Sequence, residues 1–301
     1  MEILFANVMG FCFGVRRAVE LAQKSLNENC GKKVYSLGPL IHNEKVLEAL
    51  KQKGLNIIEE NDIEHIEKES VVIIRAHGVA PKIIKNLEEK KCVIVDATCP
   101  RVKASQKMVE RYSAEDDFVI LTGDKNHGEV IGIAGYAGTN FALIQDLNEA
   151  LKMDFDSLSD KNVILLSQTT YNPVEFEQIE KVFKNRFSNL AVMNTICPAT
   201  NERQNSLLEL CKKVDGVLVI GGKNSANTKR LFQTALKNCK AAAHIQSKNE
   251  IPADFFKMEK VGITAGASTP DEIIMDVKNT LCNFNESAKK LMRRVSKKLE
   301  V

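Results

Sequence analysis

Met9-Gly10-Phe11-Cys12-Phe13-Gly14, Asp96-Ala97-Thr98-Cys99-Pro100 and Asn194-Thr195-Ile196-Cys197-Pro198 are three stretches of one design. Each follows a short apolar run and opens a helix-length amphipathic segment, and they recur at similar intervals along the 301 residues. Repetition of strand, cysteine and helix marks an α/β chain with one such thiol per third. A helix N-terminus favours the thiolate, because exposed backbone N–H groups and the helix dipole stabilise its charge. Three thiolates around one iron–sulfur cluster leave one metal ion without a protein ligand, open to a substrate.

The surrounding runs repeat in the same order. Val34-Tyr35-Ser36-Leu37, Phe118-Val119-Ile120-Leu121 and Val217-Leu218-Val219-Ile220 lead into Gly-rich turns. Val71-Val72-Ile73-Ile74, Val163-Ile164-Leu165-Leu166 and Val261-Gly262-Ile263-Thr264 lead into Arg75-Ala76-His77-Gly78, Ser167-Gln168-Thr169-Thr170 and Ala265-Gly266-Ala267-Ser268-Thr269. A further run sits between the two turns of each repeat: Leu55-Asn56-Ile57-Ile58, Phe141-Ala142-Leu143-Ile144 and Ala242-Ala243-His244-Ile245. Strand-length runs alternating with helical stretches predict small, mainly parallel sheets. Pro81, Pro100, Pro173, Pro198 and Pro270 fall where helices should begin, and proline is tolerated in a first turn.

We therefore expect each cysteine to end the first strand of its repeat, and α/β units at 12–97, 98–195 and 196–285. Residues 1–11 are a candidate to complete the third. The tail 286–301, with Lys289, Lys290, Arg293, Arg294, Lys297 and Lys298, reads as a basic amphipathic segment.

Hydrophobic residues at 44% and charged residues at 27% are ordinary for a globular chain, and a net charge of +3 is too small to argue for nucleic acid. No apolar run approaches the ~18 residues of a membrane span, and the N-terminus lacks the pattern of a signal peptide. The expectation is a cytoplasmic protein with reduced thiols. Eight cysteines without a C-x-x-C pair exclude a disulfide scaffold and a local zinc ribbon. Cys30, Cys92, Cys211, Cys239 and Cys282 read as small core hydrophobes.

Ligands of parallel α/β sheets bind beyond the carboxyl ends of the strands, so the turns there carry the candidate site. They supply the three cysteines, His42, His77 and His127, the carboxylate of Glu129, and the side chains of Thr169, Thr170, Ser225, Asn227 and Ser268. The thiols suit a soft metal centre. Gly-rich turns at helix N-termini, with Ser, Asn and His donors, suit a phosphorylated anion. On spacing alone an iron–sulfur cluster, a zinc ion and inert core cysteines all remain open.

Taken together, the motifs resemble the 4-hydroxy-3-methylbut-2-enyl diphosphate reductase family of the non-mevalonate isoprenoid pathway. The resemblance runs from Cys12-Phe13-Gly14-Val15 through Ile41-His42-Asn43, Arg75-Ala76-His77-Gly78-Val79, Asp96-Ala97-Thr98-Cys99-Pro100, Gly128-Glu129, Ser167-Gln168-Thr169-Thr170, Thr195-Ile196-Cys197 and Lys223-Asn224-Ser225 to Thr264-Ala265-Gly266-Ala267-Ser268-Thr269-Pro270. It implies a trefoil of three pseudo-equivalent α/β units around a central [4Fe-4S] cluster held by Cys12, Cys99 and Cys197. It also implies reductive dehydration of the allylic diphosphate to isopentenyl and dimethylallyl diphosphates. Glu129, Thr169 and His127 would be catalytic, and His42, His77, His127, Thr169, Ser225, Ala226, Asn227 and Ser268 would bind substrate. An external one-electron donor such as ferredoxin or flavodoxin would be the partner, with no nucleic acid or membrane.

Family members commonly carry Ser-Ser-Asn where this chain has Ser225-Ala226-Asn227, which leaves the backbone N–H of Ala226 in place of one hydroxyl. Two other readings use the same cysteines: a redox-neutral iron–sulfur hydro-lyase and a non-catalytic iron–sulfur sensor.

Overall fold

The fold was analysed in a computed structural model, which describes residues 1–29, 31–154 and 161–284. Cys30 and the basic tail at 286–301 lie outside the described residues. The described chain forms three four-stranded parallel sheets. The first orders β3 (Leu55–Ile58), β2 (Val34–Leu37), β4 (Val71–Ile74) and β5 (Val93–Asp96). The second orders β7 (Phe141–Ile144), β6 (Phe118–Thr122), β8 (Val163–Ser167) and β9 (Leu190–Met193). The third orders β11 (Ala242–Ile245), β10 (Gly216–Ile220), β12 (Lys260–Ala265) and β1 (Glu2–Phe5).

The order is the same each time, and it differs in one respect from the sequence expectation. The strand before each cysteine is the last edge strand of a sheet, not the first strand of a new one. β5 pairs with β4, β9 with β8, and β1 crosses the whole length of the chain to pair with β12. An isolated N-terminal strand has no neighbour of its own, and a vacant parallel edge satisfies its backbone.

The chain divides into two compact units. One contains Met1–Cys12, His42–Val46 and the described residues from Pro198 onward, and so holds the third sheet; the other contains Phe13–Ile41 and Leu47–Cys197, and holds the first two. In both, the inner strands are mostly apolar, as sheets covered on both faces require. β4, β8 and β10 are buried along their full length.

Helices cover the faces. Helices α1 (Phe13–Glu28), α4 (Pro100–Ala114) and α8 (Pro198–Cys211) follow the three cysteines. Proline is the first residue of α3 (Pro81–Glu89), α4, α7 (Pro173–Lys184) and α8, where its missing N–H costs nothing, while Pro270 stands just before the helix at 271–284. Helix α7 fills the second sheet's core with Phe176, Ile179 and Phe183. In the same unit, α5 (Gly128–Ala134) lies against the turn after β4. A Cβ on its Gly132 would meet the Gly78 carbonyl group at 3.2 Å, tight enough that the turn would have to give by a few tenths of an ångström.

Truncating Phe183, which is fully buried, should therefore cost about 3–5 kcal/mol by lost transfer energy and a cavity. Val174→Ala, at a position 63% exposed on the same helix, should change stability by less than about 0.5 kcal/mol. Denaturant midpoints of the two variants, compared with the unaltered chain, check this difference.

Candidate active site

The three cysteines occupy equivalent places. The Cys99 N–H donates to Ala76 O at 2.9 Å, Cys197 N–H to Thr169 O at 2.7 Å, and Cys12 N–H to Ala267 O at 3.0 Å. Each acceptor is the second residue after the strand next to the cysteine's own edge strand: β4, β8 and β12 respectively. The ladder thus runs past the strand ends and fixes each cysteine over a neighbouring turn. All three are half-buried, and no described cysteine is in a disulfide. Cys99 caps α4 with no hydrogen bond from its side chain to the helix.

Space is left at the sulfur of Cys99. A Cβ on Gly14, at the start of α1, would stand 2.5 Å from that Sγ. The thiols of Cys92 and Cys211 are different: burial raises both, Cys211 to about 12 with Cys239 beside it, which suits inert core groups. Cys211 alone of the described remainder is buried; Cys92, Cys239 and Cys282 are half-buried.

In the unit holding the first two sheets, Glu129 and Thr169 meet. Glu129, on the first turn of α5, is 2% exposed. Its Oε1 accepts from the Thr169 N–H at 2.6 Å and its Oε2 from Thr169 Oγ1 at 2.9 Å. Burial raises the carboxyl above its ordinary range, and the two bonds from Thr169 pull it partly back.

His127 caps α5, its Nδ1 accepting from the Glu129 N–H at 3.2 Å. A neutral imidazole that accepts at Nδ1 carries its proton on Nε2, so His127 presents a donor away from the helix. The ring of His77 stands edge-on to it, centroids 5.0 Å apart.

The unit holding the third sheet gathers another group. Ser268 Oγ donates to His42 O at 3.0 Å, and Asn43 Nδ2 to Ser268 O at 2.8 Å. Ser225 caps α9 (Ala226–Asn238), its Oγ accepting from the Thr228 N–H at 3.3 Å. Ala226 is the first residue of that helix, and Asn227 follows with its Nδ2 buried and without a protein partner. Both serine hydroxyls thus have internal partners, whereas the Asn227 amide still has an unspent donor. Asn43 and Gly14 were quoted in sequence motifs but not singled out; their roles show only as contacts, in the Asn43–Ser268 bond and the clearance at Cys99.

The sequence matches the LytB protein family over residues 3–282. The chain belongs to that family. This LytB chain is 48% identical over 287 residues to the 4-hydroxy-3-methylbut-2-enyl diphosphate reductase of Treponema denticola, across 93% of this chain and 99% of the relative. Among solved structures, the E-1-hydroxy-2-methyl-but-2-enyl-4-diphosphate reductase from Plasmodium falciparum superposes with a TM-score of 0.83 at 29% identity, over 92% of this chain and 87% of that one. A structure described as (E)-4-hydroxy-3-methyl-but-2-enyl diphosphate reductase, the terminal enzyme of the non-mevalonate pathway, superposes at 0.74 with 37% identity, over 94% of this chain and 100% of that one. No helix among the described residues is long and apolar enough to cross a membrane.

Because the Thr169 hydroxyl stabilises the ionised form of Glu129, Thr169→Val should raise the Glu129 carboxyl further. A pH titration of side-chain carboxyl resonances in ¹³C-glutamate-labelled protein, assigned with Glu129→Gln, reads this. An unchanged or lowered titration would contradict the hydrogen-bond account.

Proposed function

We propose that this chain is an iron–sulfur oxidoreductase that reductively dehydrates 4-hydroxy-3-methylbut-2-enyl diphosphate to isopentenyl and dimethylallyl diphosphates. The observation that carries the proposal is the buried, hydrogen-bonded Glu129–Thr169 pair in a LytB family chain. Loss of a hydroxyl as water needs a proton at the leaving oxygen, and a carboxyl whose titration is raised by burial keeps one to higher pH than a solvated carboxyl does. With Glu129 protonated, its Oε2 donates to Thr169 Oγ1 over the same 2.9 Å, and the threonine hydroxyl is released to donate onward to the substrate. His127 offers its Nε2 proton as a second donor.

Cys12, Cys99 and Cys197 would hold a [4Fe-4S] cluster. Their fit rests on three thiols at equivalent turns, none spent in a disulfide, and on the room Gly14 leaves at the Cys99 sulfur. When bound, the cluster supplies electrons and an open iron for the substrate oxygen, and an external one-electron donor such as ferredoxin or flavodoxin replenishes it.

His42, His77, His127, Thr169, Ser225, Ala226, Asn227 and Ser268 would bind the substrate, its diphosphate taking the Asn227 amide and the N–H groups that open α9. The unpartnered Asn227 Nδ2 supports this, since a buried donor without an acceptor is costly unless a ligand completes it. Units at 12–97, 98–195 and 196–285, completed by 1–11, are part of the same proposal, as is a cytoplasmic setting. The relatives are named reductases, which favours this reading over a redox-neutral hydro-lyase or a sensor.

Replacing any one of the three cysteines by serine should lower iron content and abolish turnover, while Cys92→Ser leaves both near normal. Anaerobic iron and sulfide counts decide it, and full occupancy in two of the three variants would remove them as ligands. Glu129→Gln should keep the iron and substrate binding but lose about 10²–10⁴-fold in kcat. In the unaltered enzyme kcat should fall as pH rises through the raised titration of Glu129, because the acid form is the active one. Turnover of Glu129→Gln within threefold of normal, at about pH 7, would take Glu129 out of the mechanism.

A further inference from the structure

Two arginines reach from helices that follow a cysteine to the loop that precedes another. Arg17, on α1 after Cys12, donates through Nη2 to Asp96 O at 3.0 Å and through Nη1 to Thr98 O at 3.2 Å. Thr98 is the residue before Cys99. Arg203, on α8 after Cys197, donates through Nη2 to Gly10 O at 2.8 Å and through Nη1 to Ala199 O at 3.1 Å. Gly10 lies two residues before Cys12. On the same helix, Ser206 Oγ accepts from the Val8 N–H at 3.0 Å.

The two clasps share a form. Each lies within one compact unit, and each uses both terminal nitrogens of a guanidinium, whose planar fork holds two carbonyls with little loss of freedom. Arg203 is 4% exposed, so its contacts form out of water, where a hydrogen bond from a charged donor is strongest.

The loops they hold need such support. Cys99 follows the end of β5 by three residues and Cys12 follows the end of β1 by seven, so sheet pairing stops well short of the second thiol. Gly10 also has a left-handed backbone, φ +72°, with Asp271 and Thr269 close around it. A loop of this kind has several conformations open to it until its carbonyls are engaged.

We propose that Arg17 and Arg203 are positioning residues for the metal centre, each fixing the loop that aims one thiol, Cys99 for Arg17 and Cys12 for Arg203. This rests on the cysteine ligation proposed above. The groups that orient a metal's ligands typically change metal affinity by about 10–100-fold when removed.

The test uses the full chain with its iron reconstituted anaerobically. The rate of iron loss to an excess chelator is measured for Arg17→Met, Arg203→Met, their lysine counterparts, Cys12→Ser and Cys99→Ser. Arg186→Met serves as the matched control, since Arg186 clasps the carbonyls of Leu151 and Met153 in the same manner and neither carbonyl lies in a loop that leads into a proposed ligand. Electron paramagnetic resonance of the reduced protein is recorded alongside.

Arg17→Met should release iron about 10-fold faster or more, with an altered resonance and an unfolding midpoint close to that of Arg186→Met. Lysine, which keeps one donor and the charge, should recover part of the loss. Arg203→Met should behave alike, and because Arg203 is buried, Arg17→Met carries the decision if that variant fails to fold. Iron release and resonance in Arg17→Met equal to those of Arg186→Met would overturn the inference while the cysteine variants still lose iron. Iron retained in Cys12→Ser and Cys99→Ser would instead overturn the ligand assignment, and this inference with it.

Discussion

The N–H of each cysteine donates to a carbonyl two residues beyond the neighbouring strand, and the placement of the chemistry depends on that bond. A parallel edge strand ends with backbone groups that lack partners, and each of these sheets continues the pairing past its regular strands into the turn region. The thiol is thereby held at the carboxyl end of a sheet, next to the turn that supplies the other polar side chains. The same bond occurs in all three sheets although the distance from strand to cysteine differs. The loops vary, then, and the anchoring point does not.

Burial does two opposing things to Glu129. Removal from water favours its neutral form, while the Thr169 N–H and hydroxyl both favour the anion. An apolar pocket without Thr169 would keep the carboxyl protonated but give it nowhere to send the proton. A fully solvated carboxyl would have given it up already at neutral pH. The observed carboxyl lies between these cases, raised by burial and restrained by the two bonds from Thr169.

Much of this was legible because its causes are local. Proline in the first helical turn, glycine in the turns and runs of Val and Ile for covered strands each act within a few residues, so the elements and the candidate residues could be read directly. The repeat offered residues 1–11 to complete the third unit but not the register of β1 against β12, since β1 alone carries no mark of its neighbour. The Arg17 and Arg203 clasps escaped notice for the same reason: a long cation on a helix reads as a solvated face until its acceptors are known. Ser225 and Ser268 were singled out as candidate substrate-binding turn residues, and in the structure their hydroxyls cap a helix and tie down the His42 carbonyl. The same atoms of a short polar side chain in a turn suit a structural bond or a ligand, and sequence does not separate the two.

Thr169 touches both Glu129 and Cys197. Its N–H and hydroxyl hold Glu129, and its carbonyl accepts the N–H of Cys197. A single residue therefore holds both the Glu129 carboxyl and the Cys197 backbone, through three hydrogen bonds. The Thr169 carbonyl and N–H belong to the two peptide planes on either side of its Cα, so a displacement of the Cys197 loop reaches Glu129 only through that Cα. The hydroxyl is the freer of the contacts, because rotation about one bond redirects it without moving the backbone. The two backbone groups of Thr169 thus tie the carboxyl and the Cys197 backbone to one Cα, while its hydroxyl is the group able to turn away from the carboxyl.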